Sequence, residues 1–93
     1  GKKLTLKPTA NIESKYYLRI NVSDKAGVLA KITKIFEENN ISVETMLQRP
    51  ANETSANLLI STHIAKESDV QTMITNLSTL DFVNSKPVMI RIV

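Results

Sequence analysis

Cysteine and tryptophan are absent from these 93 residues, histidine occurs once, and there are two glycines, two tyrosines and two phenylalanines. Without cysteine, disulfides and thiolate metal sites are excluded, and His63 cannot assemble a metal site without several carboxylates. With glycine only at positions 1 and 27 there is no G-x-G-x-x-G turn to hold a dinucleotide pyrophosphate. No apolar run approaches the ~18 residues of a membrane span, and the amino end carries no hydrophobic core of a secretion signal. No membrane partner is therefore expected, and a cytoplasmic location is.

What is present suits one small domain, since 42% of the residues are hydrophobic and a chain this short buries roughly 60 to 65% of its unfolded surface. The net charge of +3 is unevenly placed. Residues 1–15 hold Lys2, Lys3, Lys7 and Lys15 against Glu13, which accounts for all of it, and the remainder is balanced. The basicity belongs to the lead-in, so the folded part lacks the charge excess that nucleic-acid binding requires.

Residues 1–15 have no sustained period and contain Pro8; they read as a linker or extended lead-in, with the domain proper at 16–93. Tyr16 to Val22 alternates with Tyr16, Leu18, Ile20 and Val22 on one face, which predicts a half-buried strand. From Gly27 to about Asn39, Val28, Leu29, Ile32, Ile35 and Phe36 recur at three- and four-residue steps, an amphipathic helix that Asn39-Asn40 ends. Ile41 to Arg49 alternates again as Ile41, Val43, Thr45 and Leu47. After the turn residues PANETS, a third strand is expected over Ala56 to Ile64, with Leu58, Ile60 and Ile64 inward and His63 on the sheet face. Ser68 to Gln71 reads as a capping box for a second helix with a Val70, Met73, Ile74, Leu77 and Leu80 stripe. A last strand follows at Val88 to Val93. Strand, helix, strand, strand, helix, strand is an α+β order, and two right-handed crossovers joined by a hairpin give the ferredoxin-like βαββαβ sandwich. Its antiparallel four-stranded sheet, ordered 4-1-3-2, carries both helices on one face.

Gly27 falls where the first strand crosses into the first helix, in the run Asp24-Lys25-Ala26-Gly27-Val28-Leu29. Free amides of the helix's first turn point outward there with partial positive charge, and a glycine lets a carboxylate approach them without meeting a Cβ. Asp24 can accept hydrogen bonds from an ammonium group, so the loop is complementary to a zwitterionic amino acid. An equally physical reading is structural: Asp24 caps the helix and Gly27 relaxes a tight turn.

The run YYLRINVSDKAGVLAKITKIFEENNISVETMLQR resembles the ACT domain and its strand-D-x-x-G-V-L-helix-N-x-I-S/N pattern. More narrowly, YYLR, DKAGVLAKI and NNISVETMLQ are similar to the carboxy-terminal ACT domain of homoserine dehydrogenases. The resemblance implies a regulatory module that is not itself an enzyme, in a parent oxidoreductase using NAD(P) for amino-acid biosynthesis. L-Threonine is the implied feedback effector. Homo-oligomers and the upstream catalytic domain are the implied partners. Carried over by position, the ligand-binding residues are Asp24, Lys25, Ala26, Gly27, Val28, Leu29 and Ser42. Family members often place proline where this chain has Ala26, and asparagine where it has Ser42.

Two other classes compete. An enzyme in its own right would need a nucleophile beside a base, and none is evident. An RNA binder of this topology reads bases with paired aromatics on its open sheet face. The residues expected on that face are Tyr17, Arg19, Asn21, Glu44, Met46, Leu59, Ser61, His63, Met89 and Arg91, which include a single ring. Apolar members of that face suit a protein surface instead. A ligand-free dimerisation or assembly module is the remaining alternative.

Overall fold

A computed structural model describes residues 11–92. Strand β1 (Glu13–Ser23) buries Tyr16, Leu18, Ile20 and Val22 on one face, as their alternation dictates. Helix α1 (Val28–Glu38) buries Val28, Ile32 and Phe36 at four-residue steps. It ends where Asn40 takes φ 61°, with the Asn40 amide donating to Glu37 O at 3.0 Å and the Ile41 amide to Phe36 O at 3.0 Å. This is the Schellman closure, and it drives Ile41 into the core. Strands β2 (Val43–Pro50) and β3 (Ser55–Thr62) form an antiparallel hairpin. A two-residue strand β4 (Ala65–Lys66) pairs with Glu13 and Ser14 and leads into α2 (Glu67–Ser78), and β5 (Val88–Ile92) returns alongside β1.

Every strand pair is antiparallel, and the order β2-β3-β1-β5, with β4 at the start of β1, is the expected sandwich plus one short strand. β2 is an edge. Both helices pack on one face, where Tyr16, Ile20, Ile32, Phe36, Leu58, Ile60, Val70, Met73 and Leu77 form the core.

Several boundaries and faces differ from expectation, each for a local reason. β1 opens three residues early because Glu13 and Ser14 pair with β4 and the Ser14 hydroxyl donates to Ile92 O; residues 1–10 of the expected linker lie outside the described residues, as does Val93. β3 stops at Thr62, whose Oγ1 accepts the Tyr16 amide at 3.1 Å. His63 and Ile64 turn away in a bend, exposed rather than sheet-facing or inward. α2 begins at Glu67 and not at a Ser68 box. Its first amide donates to Ile12 O at 2.9 Å, its N-cap Lys66 makes no side-chain cap, and Glu67 and Asp69 in the first turn complement the dipole.

Faces shift in two strands. A register irregularity between Val43 and Thr45 makes room for Glu44, so Met46 packs against the core while Leu47 is 49% exposed. In β5 the register sets Met89 opposite Leu18 and Arg91 opposite Tyr16, leaving Val88 and Ile90 on the open face. Leu47, Val88 and Ile90, not Met46 and Met89, are thus the apolar members of that face beside Tyr17 and Leu59, and Arg91 lies on the other face.

Candidate functional site

β1 ends at Ser23, and the chain turns through Asp24, Lys25 and Ala26 into α1. The Lys25 amide donates to Ser23 O at 2.9 Å, and the Asp24 amide reaches across to Thr54 O at 2.9 Å in the β2–β3 turn. Gly27 sits at φ +85°, the left-handed region that L side chains avoid, and a Cβ placed on it would meet nothing within 4 Å. The glycine is therefore demanded by its backbone angle, while the space beside it stays open. Its carbonyl accepts the first helical bond, from the Lys31 amide at 3.1 Å. The Leu29 and Ala30 amides then have no intrahelical partner.

Among the described residues no side chain caps this helix. Among the described residues the Asp24 carboxylate appears in no side-chain hydrogen bond and no ion pair, so the capping role weighed for it is not the one it plays in this conformation. Asp24, Lys25, Gly27, Val28 and Leu29 line a cleft of about 130 Å³ together with Val22, Leu58 and Gln48. Ala26 does not line this cleft but an adjoining hollow, with Lys31, Asp81 and Phe82, that shares Lys25 and Val28 with it. The Lys31 ammonium lies 5.6 Å from the centre of the Phe82 ring there.

Ser42 is elsewhere. It lines a wider hollow of about 620 Å³ with Thr33, Phe36, Glu37, Asn40 and Met46, at the far end of α1. Eleven residues of helix at 1.5 Å each place these two ends about 16 Å apart. One chain brings the Asp24–Leu29 loop together and leaves Ser42 apart from it. Gln48 was not among the residues singled out by sequence. Its cross-strand pairing with Leu58 carries it to the loop, and no local signal marks such a long-range approach.

Among the described residues no two strands pair in parallel, and Gly27 opens a lone turn rather than a glycine-rich cradle. The buried charged cluster lies away from the loop, where the Tyr16 hydroxyl donates to Glu67 Oε1 at 3.3 Å and Arg91 donates to the same oxygen at 3.1 Å. Burial first, and then the negative charge and hydrogen bonding of Glu67, push the Tyr16 phenol above its ordinary pKa, with Arg91 pulling the other way.

Fold and loop together place the chain in the class of small βαββαβ sandwich modules. Residues 16–82 match the family model of the ACT domain, and the chain belongs to that family. It is 37% identical over 91 residues to the homoserine dehydrogenase of Helicobacter pylori, covering 97% of this chain and 22% of that protein. It is 35% identical over 80 residues to the Bacillus subtilis enzyme of the same name, covering 84% of this chain and 18% of that one. The crystal structure of a homoserine dehydrogenase from Thiobacillus denitrificans superposes with a TM-score of 0.85 at 30% identity, over 97% of this chain and 20% of that chain. The chain spans about a fifth of the length of these relatives and matches their carboxy-terminal region.

Proposed function

We propose that this chain is the regulatory amino-acid-binding domain of a cytoplasmic homoserine dehydrogenase, sensing L-threonine as an end product of the aspartate pathway for feedback control. One observation carries the reading: the uncapped start of α1, with open space beside Gly27 and an uncommitted Asp24 carboxylate next to it. The Leu29 and Ala30 amides would hold the effector's carboxylate and Asp24 its ammonium, with Lys25 and Val28 shaping the walls. Similarity to homoserine dehydrogenases over nearly the whole chain supports the parent enzyme. Its NAD(P) chemistry then belongs to the catalytic part outside these residues.

Ser42 enters through a second copy. Since one chain holds it about 16 Å from the loop, and among the described residues β2 offers an unpaired edge, two chains joined along such edges would set the loop of one against the start of β2 of the other. A ligand that binds only the native state stabilises it by about 2.7 kcal/mol at a hundred times its Kd. In a domain this small that raises the melting temperature by on the order of 10 °C or more. L-Threonine should produce the shift and D-threonine should not, with serine, homoserine, lysine, methionine and isoleucine as comparisons. Asp24→Ala should weaken binding by about 1–3 kcal/mol, and sedimentation equilibrium with threonine should give a dimer. The exposed Tyr17, Leu47, Val88 and Ile90 favour a second reading, an assembly module without a ligand. That reading wins if the chain self-associates while no amino acid moves its transition.

A further inference from the structure

The last residues of β1, from which the loop departs, are held by a segment 59 to 63 positions along the chain, Phe82 to Asn84. β5 pairs with β1 only from Lys15 to Arg19. Beyond that point Phe82 to Asn84, between α2 and β5, take over as a substitute strand. The Ser23 amide donates to Phe82 O at 2.9 Å, Val22 bridges Val83, and the Asn84 amide donates to Asn21 O at 2.9 Å. Side chains complete the grip. Asn84 Nδ2 donates to Asn21 Oδ1 at 2.8 Å, while Asn84 Oδ1 accepts the Ser23 hydroxyl at 3.3 Å. Asn21 in turn donates to Asn57 Oδ1 on β3 at 2.9 Å, so an amide chain crosses from the substitute strand through β1 to β3 just before the loop.

We infer that Asn84 is a positioning residue for the effector loop. It is the one side chain in this row that holds two positions of β1, Asn21 and Ser23, and Asp24 is the next residue after the second. Asn84 itself does not line the cleft; it acts by fixing where the chain leaves the sheet, and hence where Asp24 and the open amides stand relative to each other. Its donor and acceptor ends have separate partners, which a side-chain amide satisfies at once. Aspartate keeps the acceptor and loses the donor, and alanine loses both.

The inference rests on reading the loop as an amino-acid site, but its first test needs no ligand. Amide hydrogen exchange would be followed by NMR in the wild-type chain, Asn84→Ala, Asn84→Asp and the exposed neighbour variant Lys86→Ala. Asn84→Ala should speed exchange of the Ser23 and Lys25 amides by about tenfold, the effect of one or two lost hydrogen bonds, while the Ile60 amide keeps its rate. Asn84→Asp should fall between, and Lys86→Ala should match wild type. Unchanged Ser23 and Lys25 rates in Asn84→Ala overturn the inference, as does an equal rise at Ile60, which would mean general destabilisation. Calorimetric titration then supplies the functional arm, with L-threonine affinity falling about 3- to 10-fold in Asn84→Ala and not in Lys86→Ala. A wild-type chain that binds no amino acid overturns the sensor reading and the effector part of this inference together, whereas the exchange rates decide the clamp on their own.

Discussion

Gly27 separates two explanations that coincide in the sequence. A glycine that only avoided a clash would tolerate alanine where space is open, and space is open here. The left-handed backbone is what alanine meets, so Gly27→Ala should cost about 1–2 kcal/mol of stability. Urea unfolding should show the midpoint falling at unchanged slope, with Gly27→Asn losing less. Tyr16 makes a different demand. Its phenol is fully buried beside Glu67, and its pKa is raised in the folded chain above the unfolded value of 10.0. The folded chain therefore holds this proton more tightly, so the stability it contributes is complete below pH 10.0 and drains away as pH climbs from there through the folded pKa. Melting temperatures recorded across that range should fall more steeply for wild type than for Tyr16→Phe. The cluster was not legible in the sequence, because its members come from β1, the start of α2 and β5.

Element identities follow from periodicity, and faces do so only while a strand stays regular. β1 alternates without interruption, and each of its four inward residues is where the pattern puts it. In β2 the Ile41, Val43, Thr45, Leu47 alternation looks equally regular, yet Glu44 is accommodated in a bulge and every later residue changes sides. No glycine marks the spot. Met46→Ala should cost about 1–2 kcal/mol because its side chain packs on the core, whereas Leu47→Ala should stay within about 0.5 kcal/mol. Thermal unfolding of the pair decides between the two faces, and the reverse order would place the bulge elsewhere. In β5 the sequence Val-Met-Ile-Arg-Ile has a more apolar face and a less apolar one, and the more apolar face points outward. Arg91 explains the inversion: Glu67 is 5% exposed, and Arg91 supplies its cation at 3.1 Å, a partner that a buried carboxylate cannot lose cheaply. α2 likewise starts where tertiary bonds to Ile12, Tyr16 and Arg91 secure Glu67, ahead of the local Ser68 signal.

For the molecule as a whole, strand order and the side on which the helices lie were readable, since two crossovers and a hairpin admit few arrangements. The loop was readable too, through Asp24 and Gly27. Its separation from Ser42 was not, because the length of α1 sets that distance. The topology has a kinetic consequence as well. β1 is central, and the β2–β3 hairpin can join it through β3 before the far end of the chain is in place, whereas among the described residues β5 pairs with β1 alone. Ser14 and Ile92, joined by a hydrogen bond, stand 78 positions apart, so docking β5 closes the longest loops in the domain and gains nothing until they are closed. Substitutions in the centre of β3, such as Ile60→Val, should slow folding. Met89→Ala should leave the folding limb of a chevron nearly untouched and speed the unfolding limb. The carboxy-terminal strand is then the last piece to arrive at the transition from unfolded to native and the first to leave, which makes the ion pair between Arg91 and Glu67 a brake on unfolding.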